Sequence, residues 1–366
     1  MILPKVLKRK SQFSKELKTE FRLLSELLTL RPTKIFFSVL LAFIFGPLLL
    51  FLILKPTPAK DIEYGTTFSK KYAEQLGLNW QNSYIKILDE LQVKNLRLIV
   101  YWDDVEATRD HYNFNDIIWQ IEEASKRNAK IILVVGRKVP RYPECFEPQW
   151  WKDFPDGNEK DARLYRMIQN AVLTLKNYKA ITMWQVENEP FFPFGVCTNI
   201  KKEVVQKEIS IVQQLDSRPI IVQDSGEGGY WYPSYKLGNY LGISMYRKIW
   251  YDFWKIFLGR FIYFEYPLSH WTYKIKADLV GVPYERIIVT ELQAEPWGPE
   301  INSKLTQEEK DKSMSKNSFI ETISYAQKTG FRDLYLWGAE WWLYEKEHNG
   351  ENYYWDIAKA LFNSRN

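Results

Sequence analysis

Histidine and cysteine are scarce in this chain: His111, His270 and His348, and Cys145 and Cys197, are all there are among 366 residues. Multi-histidine metal sites and zinc ribbons need more ligands at closer spacing, so the sequence implies no metal centre. An excess of one charge is missing too. Of 50 basic and 45 acidic residues, nine Lys/Arg sit in residues 1–34 beside Glu16, Glu20 and Glu26 only, which leaves residues 35–366 with 41 basic and 42 acidic groups. So balanced a body offers no field for nucleic acid, and no nucleic-acid partner is expected. A composition that is 46% hydrophobic and 26% charged excludes wholesale disorder. Aromatic residues, by contrast, are abundant: 15 Trp, 23 Tyr and 21 Phe. Tyr and Trp combine a flat apolar face with a polar handle, which suits sugar-stacking clefts and membrane interfaces.

One long apolar run exists. Ile35 to Leu54 (IFFSVLLAFIFGPLLLFLIL) is uncharged and bracketed by Lys34 and Lys55, a length that matches the hydrocarbon thickness of a bilayer when helical. The basic segment before it predicts a cytoplasmic N-terminus and an extracytoplasmic body, the topology of a single-pass signal anchor in the cell membrane. The alternative is a cleaved signal peptide ending near Thr57-Pro58-Ala59, although signal cores are shorter. The expected organisation is residues 1–34 as a basic cytoplasmic segment with an amphipathic pattern from Phe13 to Leu30, 35–54 as the transmembrane anchor, 55–61 as a stiff linker and 62–366 as one domain.

Within that domain, short β-branched or aliphatic runs alternate eight times with amphipathic stretches. The runs are 62–68, 96–101, 130–135, 180–186, 219–223, 241–246, 286–290 and 333–337; helices are expected at 83–91, 115–126, 162–175, 201–215, 307–327 and 354–362. Strands interleaved with helices pair in parallel, and eight such units predict a (β/α)8 TIM barrel preceded by one transmembrane helix. An open doubly wound sheet is the competing topology, but Gly65-Thr66-Thr67 after the first strand is no phosphate loop.

A barrel works at the carboxyl ends of its strands. Strand four ends in Trp184-Gln185-Val186-Glu187-Asn188-Glu189-Pro190 and strand seven in Val289-Thr290-Glu291-Leu292-Gln293. Two carboxylates facing each other over the mouth suit glycosidic cleavage, one protonated to donate to the leaving oxygen and one ionised to attack the anomeric carbon. Together with Trp337-Gly338 at strand eight and the stretch Tyr101 to Ile117 (YWDDVEATRDHYNFNDI) after strand two, this pattern resembles the clan A retaining glycoside hydrolases, the 4/7 barrels that include the cellulase-like family 5. The resemblance implies Glu189 as acid/base and Glu291 as nucleophile. It further implies Asn188 on the sugar 2-hydroxyl, Arg97 and Tyr246 holding the nucleophile, and Trp337 as the floor of the subsite before the cleaved bond. Such chemistry requires no cofactor.

Alternatives exist for several of these residues. Glu187 lies on the same face of an extended strand as Glu189, with the neighbouring proline favouring Glu189, and Glu295 competes with Glu291. Trp341 and Trp342 are read with Trp337 as a pyranose platform. Cys145 and Cys197 follow adjacent strands, and in an exported protein a bridge between them would pin two loops; two buried thiols are the alternative. The expected partner is a carbohydrate, cleaved at β-glycosidic bonds by double displacement. A transglycosylase acting on envelope glycan or glycolipid would share every residue named, and a non-catalytic carbohydrate-binding barrel would not need both glutamates. Between strands six and seven, the aromatic and basic segment 248–276 is expected either to rest on the outer leaflet or to form a helix packed on the barrel.

Overall fold

Runs of Ile, Val and Leu buried on both faces make the central strands, as a parallel sheet covered by helices demands. The computed structural model describes residues 31–53, 59–197, 200–251 and 262–364. The chain divides into two compact units, residues 1–55 and 56–366.

In the second unit, β1 (Glu63–Thr67), β2 (Asn95–Ile99), β3 (Lys130–Val135), β4 (Ile181–Val186), β5 (Ile220–Asp224), β6 (Tyr240–Met245), β9 (Ile287–Gln293) and β10 (Asp333–Trp337) close in the order β1-β10-β9-β6-β5-β4-β3-β2. Every neighbouring pair is parallel. This is the expected (β/α)8 barrel. β7 (Lys248–Tyr251) and β8 (Ile262–Glu265) form a separate antiparallel hairpin.

Strand alternation explains why the barrel floor is apolar and its mouth polar. Ile132, Ile221, Ile288 and Tyr335 pack inside with Met183 against them. Two residues farther along β4 and β5 come Gln185 and Gln223, and nearer the end of β6 comes Ser244, all buried. β1 carries Gly65 in register with Tyr335, where an added Cβ would stand 2.6 Å from the Tyr335 ring. The opposite strand faces, among them Leu98, Leu133, Trp184, Val222 and Leu336, pack outward in the main core.

Two helical expectations need correction. The single helix expected over 307–327 is broken into Gln307–Met314 and Lys316–Lys328, because Ser315 leaves the helical conformation and caps the second helix, accepting from the Ser318 N–H at 3.1 Å. Trp341 and Trp342 are no sugar platform: they lie in an unforeseen helix, Ala339–Asn349, and are buried, Trp341 donating to Glu345 at 3.0 Å and Trp342 to the Ala294 carbonyl at 2.7 Å.

In the aromatic segment the chain forms the β7–β8 hairpin and then a helix, Trp271–Val280. Tyr273 is buried there, stacked at 6.4 Å on Trp231, and so faces no lipid. Phe253, Trp254, Phe257 and Phe261 lie outside the described residues, as do residues 1–30, Leu54 and 55–58 of the proposed cytoplasmic segment, anchor end and linker.

In the first unit, a helix of 23 residues, Arg31–Ile53, covers nearly all of the apolar run. Ile35, Phe36, Val39, Phe43 and Ile44 are exposed on it. Among the described residues no helix is long and apolar enough to cross a membrane; the continuous stretch of described side chains in this helix runs only from 34 to 46.

Candidate active site

One guanidinium gathers the strand ends. Arg97 on β2, fully buried, donates from Nε to Gln185 Oε1 at 2.8 Å, and from Nη2 to Gln223 Oε1 at 2.6 Å and Asn188 Oδ1 at 2.7 Å. Its Nη1 donates to Glu291 Oε1 at 2.8 Å. Gln223 Nε2 donates to that same carboxylate oxygen at 3.0 Å, and the Tyr246 hydroxyl reaches Oε2 at 3.4 Å. Three donors from β2, β5 and the end of β6 thus fix the Glu291 carboxylate, and charge-assisted bonds of this kind hold orientation as well as charge. The Gln185, Gln223 and Asn188 carboxamides and, at 3.4 Å, the Thr290 carbonyl take the remaining guanidinium donors, so the buried cation is satisfied without a second anion.

Glu189 is presented by a turn just beyond β4. Glu187 and Glu189 both take positive φ, 61° and 47°, a left-handed conformation that costs non-glycine residues on the order of 1–3 kcal/mol. The turn is pinned from both sides: the Glu187 N–H donates to the Val135 carbonyl at 2.9 Å, the Asn188 N–H to the Lys138 carbonyl at 2.7 Å, and Lys138 Nζ to the Glu189 carbonyl at 2.9 Å. Its consequence is a division of labour. Glu187 points at the backbone, accepting from the N–H groups of Arg137 and Lys138 at 2.7 Å each, with the buried Glu208 beside it. Glu189 points into the mouth, where Ser244 Oγ donates to its Oε1 at 2.7 Å.

Burial pushes the Glu189 carboxyl up to about 8, and the charge of Glu291 adds to the rise, while the Ser244 hydrogen bond and Lys138 pull against it. Ser244 is itself the register partner of Glu291 across the β6–β9 ladder. The mouth therefore holds one carboxyl that keeps its proton at neutral pH next to a carboxylate fixed by an arginine. That is the division general acid and nucleophile require.

Asn188 is turned by a third carboxyl. Its Nδ2 donates to Glu144 Oε1 at 3.0 Å, and Lys138 Nζ lies 3.3 Å from Glu144 Oε2. Burial pushes Glu144 well above the ordinary carboxyl range despite Lys138. Glu144 rides on the loop after β3, which Cys145 ties to the loop after β4 through a disulfide with Cys197, Cα atoms 5.4 Å apart.

Trp337 ends β10 with one ring face covered: the Arg141 guanidinium lies 4.1 Å from its centroid and 3.7 Å from that of Tyr72. Arg141 Nη1 pairs with Glu295 Oε1, and Nη2 with Glu340 Oε2 at 2.9 Å. Burial raises Glu295 to about 7 against the pull of Arg141 and a hydrogen bond from Trp337. Glu295 is accordingly the partner of Arg141, while Glu291 is the partner of Arg97.

No protein-family model and no curated protein matches the chain. Solved structures do match. They include a GH5_18 protein from Bifidobacterium longum subsp. longum at TM-score 0.53, 13% identical, covering 76% of this chain and 70% of that one. Xylanase 10B from Thermotoga petrophila matches at 0.51, 15% identical, over 76% of this chain and 82% of the other. The exo-β-1,4-mannosidase Op5Man5 from Opitutaceae bacterium strain TAV5 matches at 0.55, 13% identical, over 85% and 62%. At such identities the likeness speaks for the fold, a (β/α)8 barrel of the type glycoside hydrolases use.

Arg97, Asn188, Glu189, Tyr246, Glu291 and Trp337, all singled out in the sequence, meet at this one mouth. Sequence reading missed Gln185, Gln223 and Ser244, whose signal was present as a polar side chain at an inward position of an otherwise apolar strand. It also missed Lys138, Arg141 and Glu144, which had no such signal because they sit in an irregular loop.

Proposed function

We propose that the barrel is a retaining glycoside hydrolase that cleaves β-glycosidic bonds of a poly- or oligosaccharide through a glycosyl-enzyme intermediate. The observation that carries this is the pairing of Glu189, held protonated by burial and by Glu291, with Glu291 fixed by Arg97. Two of the similarly folded proteins bear the names xylanase and exo-β-1,4-mannosidase, which supports a glycan as substrate.

In the first step Glu291 attacks the anomeric carbon while Glu189 passes its proton to the departing oxygen. Ester formation removes the Glu291 charge, one cause of the raised Glu189 pKa, so Glu189, left as a carboxylate, stays ionised as the general base. It takes a proton from water as the water oxygen bonds to the anomeric carbon, the ester C–O bond breaks, and the Glu291 carboxylate and protonated Glu189 are restored. Asn188, turned by Glu144, offers its remaining Nδ2 hydrogen to the sugar 2-hydroxyl, and the Tyr246 hydroxyl stays on Glu291.

The detergent-solubilised full chain should release sugar from members of a β-glycan and aryl β-glycoside panel, the first anomer seen by NMR being β. Glu189→Gln should lose roughly 10²–10⁴-fold on unactivated substrates, and a 2-fluoro glycoside should label Glu291 in the intact protein by mass spectrometry. An α-anomer, or full turnover by Glu291→Gln, sinks the proposal.

The same proposal places the body outside the cell membrane, anchored by residues 35–54 with the N-terminus cytoplasmic. The uncharged run, the exposed apolar side chains of the Arg31–Ile53 helix and the nine basic residues before Ile35 support it. Carbonate extraction that frees the chain from membranes, or a protease-protected body in intact cells, contradicts it. Lipid contact in 248–276 is assigned to the β7–β8 hairpin, which carries the exposed Phe264. A spin label at Phe264→Cys in the reconstituted chain should relax faster with lipid-soluble oxygen than with aqueous nickel.

A further inference from the structure

Arg141 leaves a loop whose geometry is fixed on every side. Its own φ is 85°, Val139 N–H donates to the Glu144 carbonyl at 2.9 Å, and Cys145 is bonded to Cys197. Arg141 lies in the loop after β3, and its guanidinium pairs with Glu295, two residues beyond β9, and Glu340, three beyond β10; in the closed sheet β2 and β1 stand between β3 and β10, so the link crosses their places. Tyr72, in the helix after β1, and Trp337 both meet the guanidinium, at 3.7 Å and 4.1 Å from their ring centroids. Such a crossing is a chord over the barrel mouth.

The chord lies beside the carboxylate pair: the Tyr246 hydroxyl, next to Glu291, feels Glu291, Glu295, Arg141 and Glu189 together. Its anchors stand at β9, β10 and β1, whereas Glu189 belongs to β4 and is held from β6. With the proton donor on the β4–β6 side, the leaving group departs there, so the sugar that is captured sits toward Trp337 and Arg141. On the leaving side the lining differs. Phe194 and Trp297 meet at 5.4 Å and Trp297 and Tyr246 at 5.2 Å, all half-buried rings on the loops after β4, β9 and β6. Glu189, Glu291 and Trp337 are 6%, 5% and 4% exposed, so little of the carboxylate pair or of the ring meets solvent.

We propose that Arg141, clamped by Glu295 and Glu340, is the wall that ends the site one sugar from the cleaved bond, so that the enzyme removes single terminal β-linked units from non-reducing chain ends. This rests on the glycosidase reading and specifies its substrate as a chain end. A stacked guanidinium with two carboxylate partners is costly to displace, because leaving either carboxylate buried and unpaired forfeits its main compensation. A second sugar on the captured side would need that displacement.

The test uses the detergent-solubilised full chain with β-linked oligosaccharides of defined length, labelled at the reducing end, in two forms: native, and capped by methylation of the terminal non-reducing 4-hydroxyl and 6-hydroxyl groups. The expected result is a ladder that shortens one unit at a time with monosaccharide as the sole free sugar, and complete loss of cleavage on capped chains. Internal fragments in the first turnovers, or cleavage of capped chains, overturn the wall while leaving the glycosidase reading intact. Cleavage of no oligosaccharide and no aryl β-glycoside overturns both. Arg141→Ala should gain release of disaccharide and turnover of capped chains; if it is folded by circular dichroism and still releases monosaccharide alone, Arg141 is not the wall. Should that variant not fold, Arg141→Lys, which keeps the charge and loses the two-carboxylate fork, is read by the same products, and the wild-type ladder decides the chain-end action by itself.

Discussion

Ser244 donates its hydroxyl hydrogen to Glu189 Oε1 at 2.7 Å while standing in register with Glu291 on the neighbouring strand. One small side chain on β6 thereby stands between the strands that bring the two carboxyls, holding the one from the end of β4 and neighbouring the one on β9. It leaves Glu189 Oε2 to carry the proton.

The pH dependence follows from that arrangement. Glu189 loses its proton as pH rises through about 8, so kcat/KM should fall on the alkaline side with a midpoint near that value. Ser244 lowers the Glu189 pKa, and Ser244→Ala should therefore move the alkaline limb upward. Glu291→Gln removes a charge that raises it, so the Glu189 carboxyl should titrate lower in that variant, read by carbon NMR of the labelled side chain because turnover is lost. A limb that stays put in Ser244→Ala contradicts the assignment of Glu189 as the acid.

Arg97 connects four side-chain acceptors from four positions around the mouth. Arg97→Met leaves Glu291 buried without its cation, and breaking a buried pair in this way costs about 3–5 kcal/mol. Denaturant melts should report a loss of that order, and kcat should drop more than KM rises, because the carboxylate is misaimed for attack. Arg97→Lys restores charge and not the fork, so it should recover stability in part and activity little. Equal activity in wild type and Arg97→Met would refute the role.

Glu187 and Glu189 are two residues apart and test each other. Glu187 serves the backbone N–H groups of Arg137 and Lys138, so Glu187→Gln should lower the melting temperature and leave the pH profile unshifted. Glu189→Gln should do the reverse. If Glu187→Gln abolishes turnover in a folded protein while Glu189→Gln does not, the two roles are exchanged.

How much of this was legible beforehand depended on regularity. β3, β10 and the helix Asn115–Lys126 fall on their expected bounds, because their apolar spacing matches one period without interruption. The pairing of Glu189 with Glu291 was legible for the same reason, strand ends in a barrel all facing one side. What sequence did not show is the conformation that tells Glu187 from Glu189: positive φ at both turns them apart, where an extended strand would have pointed them together. Trp341 and Trp342 misled because the helix that buries them begins just after Gly338, whose φ of 136° lets the chain turn where an added Cβ would sit 2.9 Å from the Ala294 carbonyl. Arg141 was invisible, since its partners are more than 150 residues distant along the chain.

The bridge between Cys145 and Cys197 closes a 52-residue span and holds the loop that carries both Glu144 and Arg141. Closing a loop of that size is worth about 2–4 kcal/mol through the unfolded state, so reduction, or the double variant Cys145→Ser with Cys197→Ser, should lower the melting temperature. The native state should feel it as well. Glu144 would hold Asn188 less firmly and Arg141 would hold Trp337 less firmly, both groups that the proposed mechanism sets against the sugar, whereas Glu189 and Glu291 keep Ser244 and Arg97. The expected kinetic signature is therefore a KM that rises more than kcat falls, with the alkaline limb unchanged. A double variant that melts lower yet binds and turns over substrate as wild type does would show that the bridge serves stability alone.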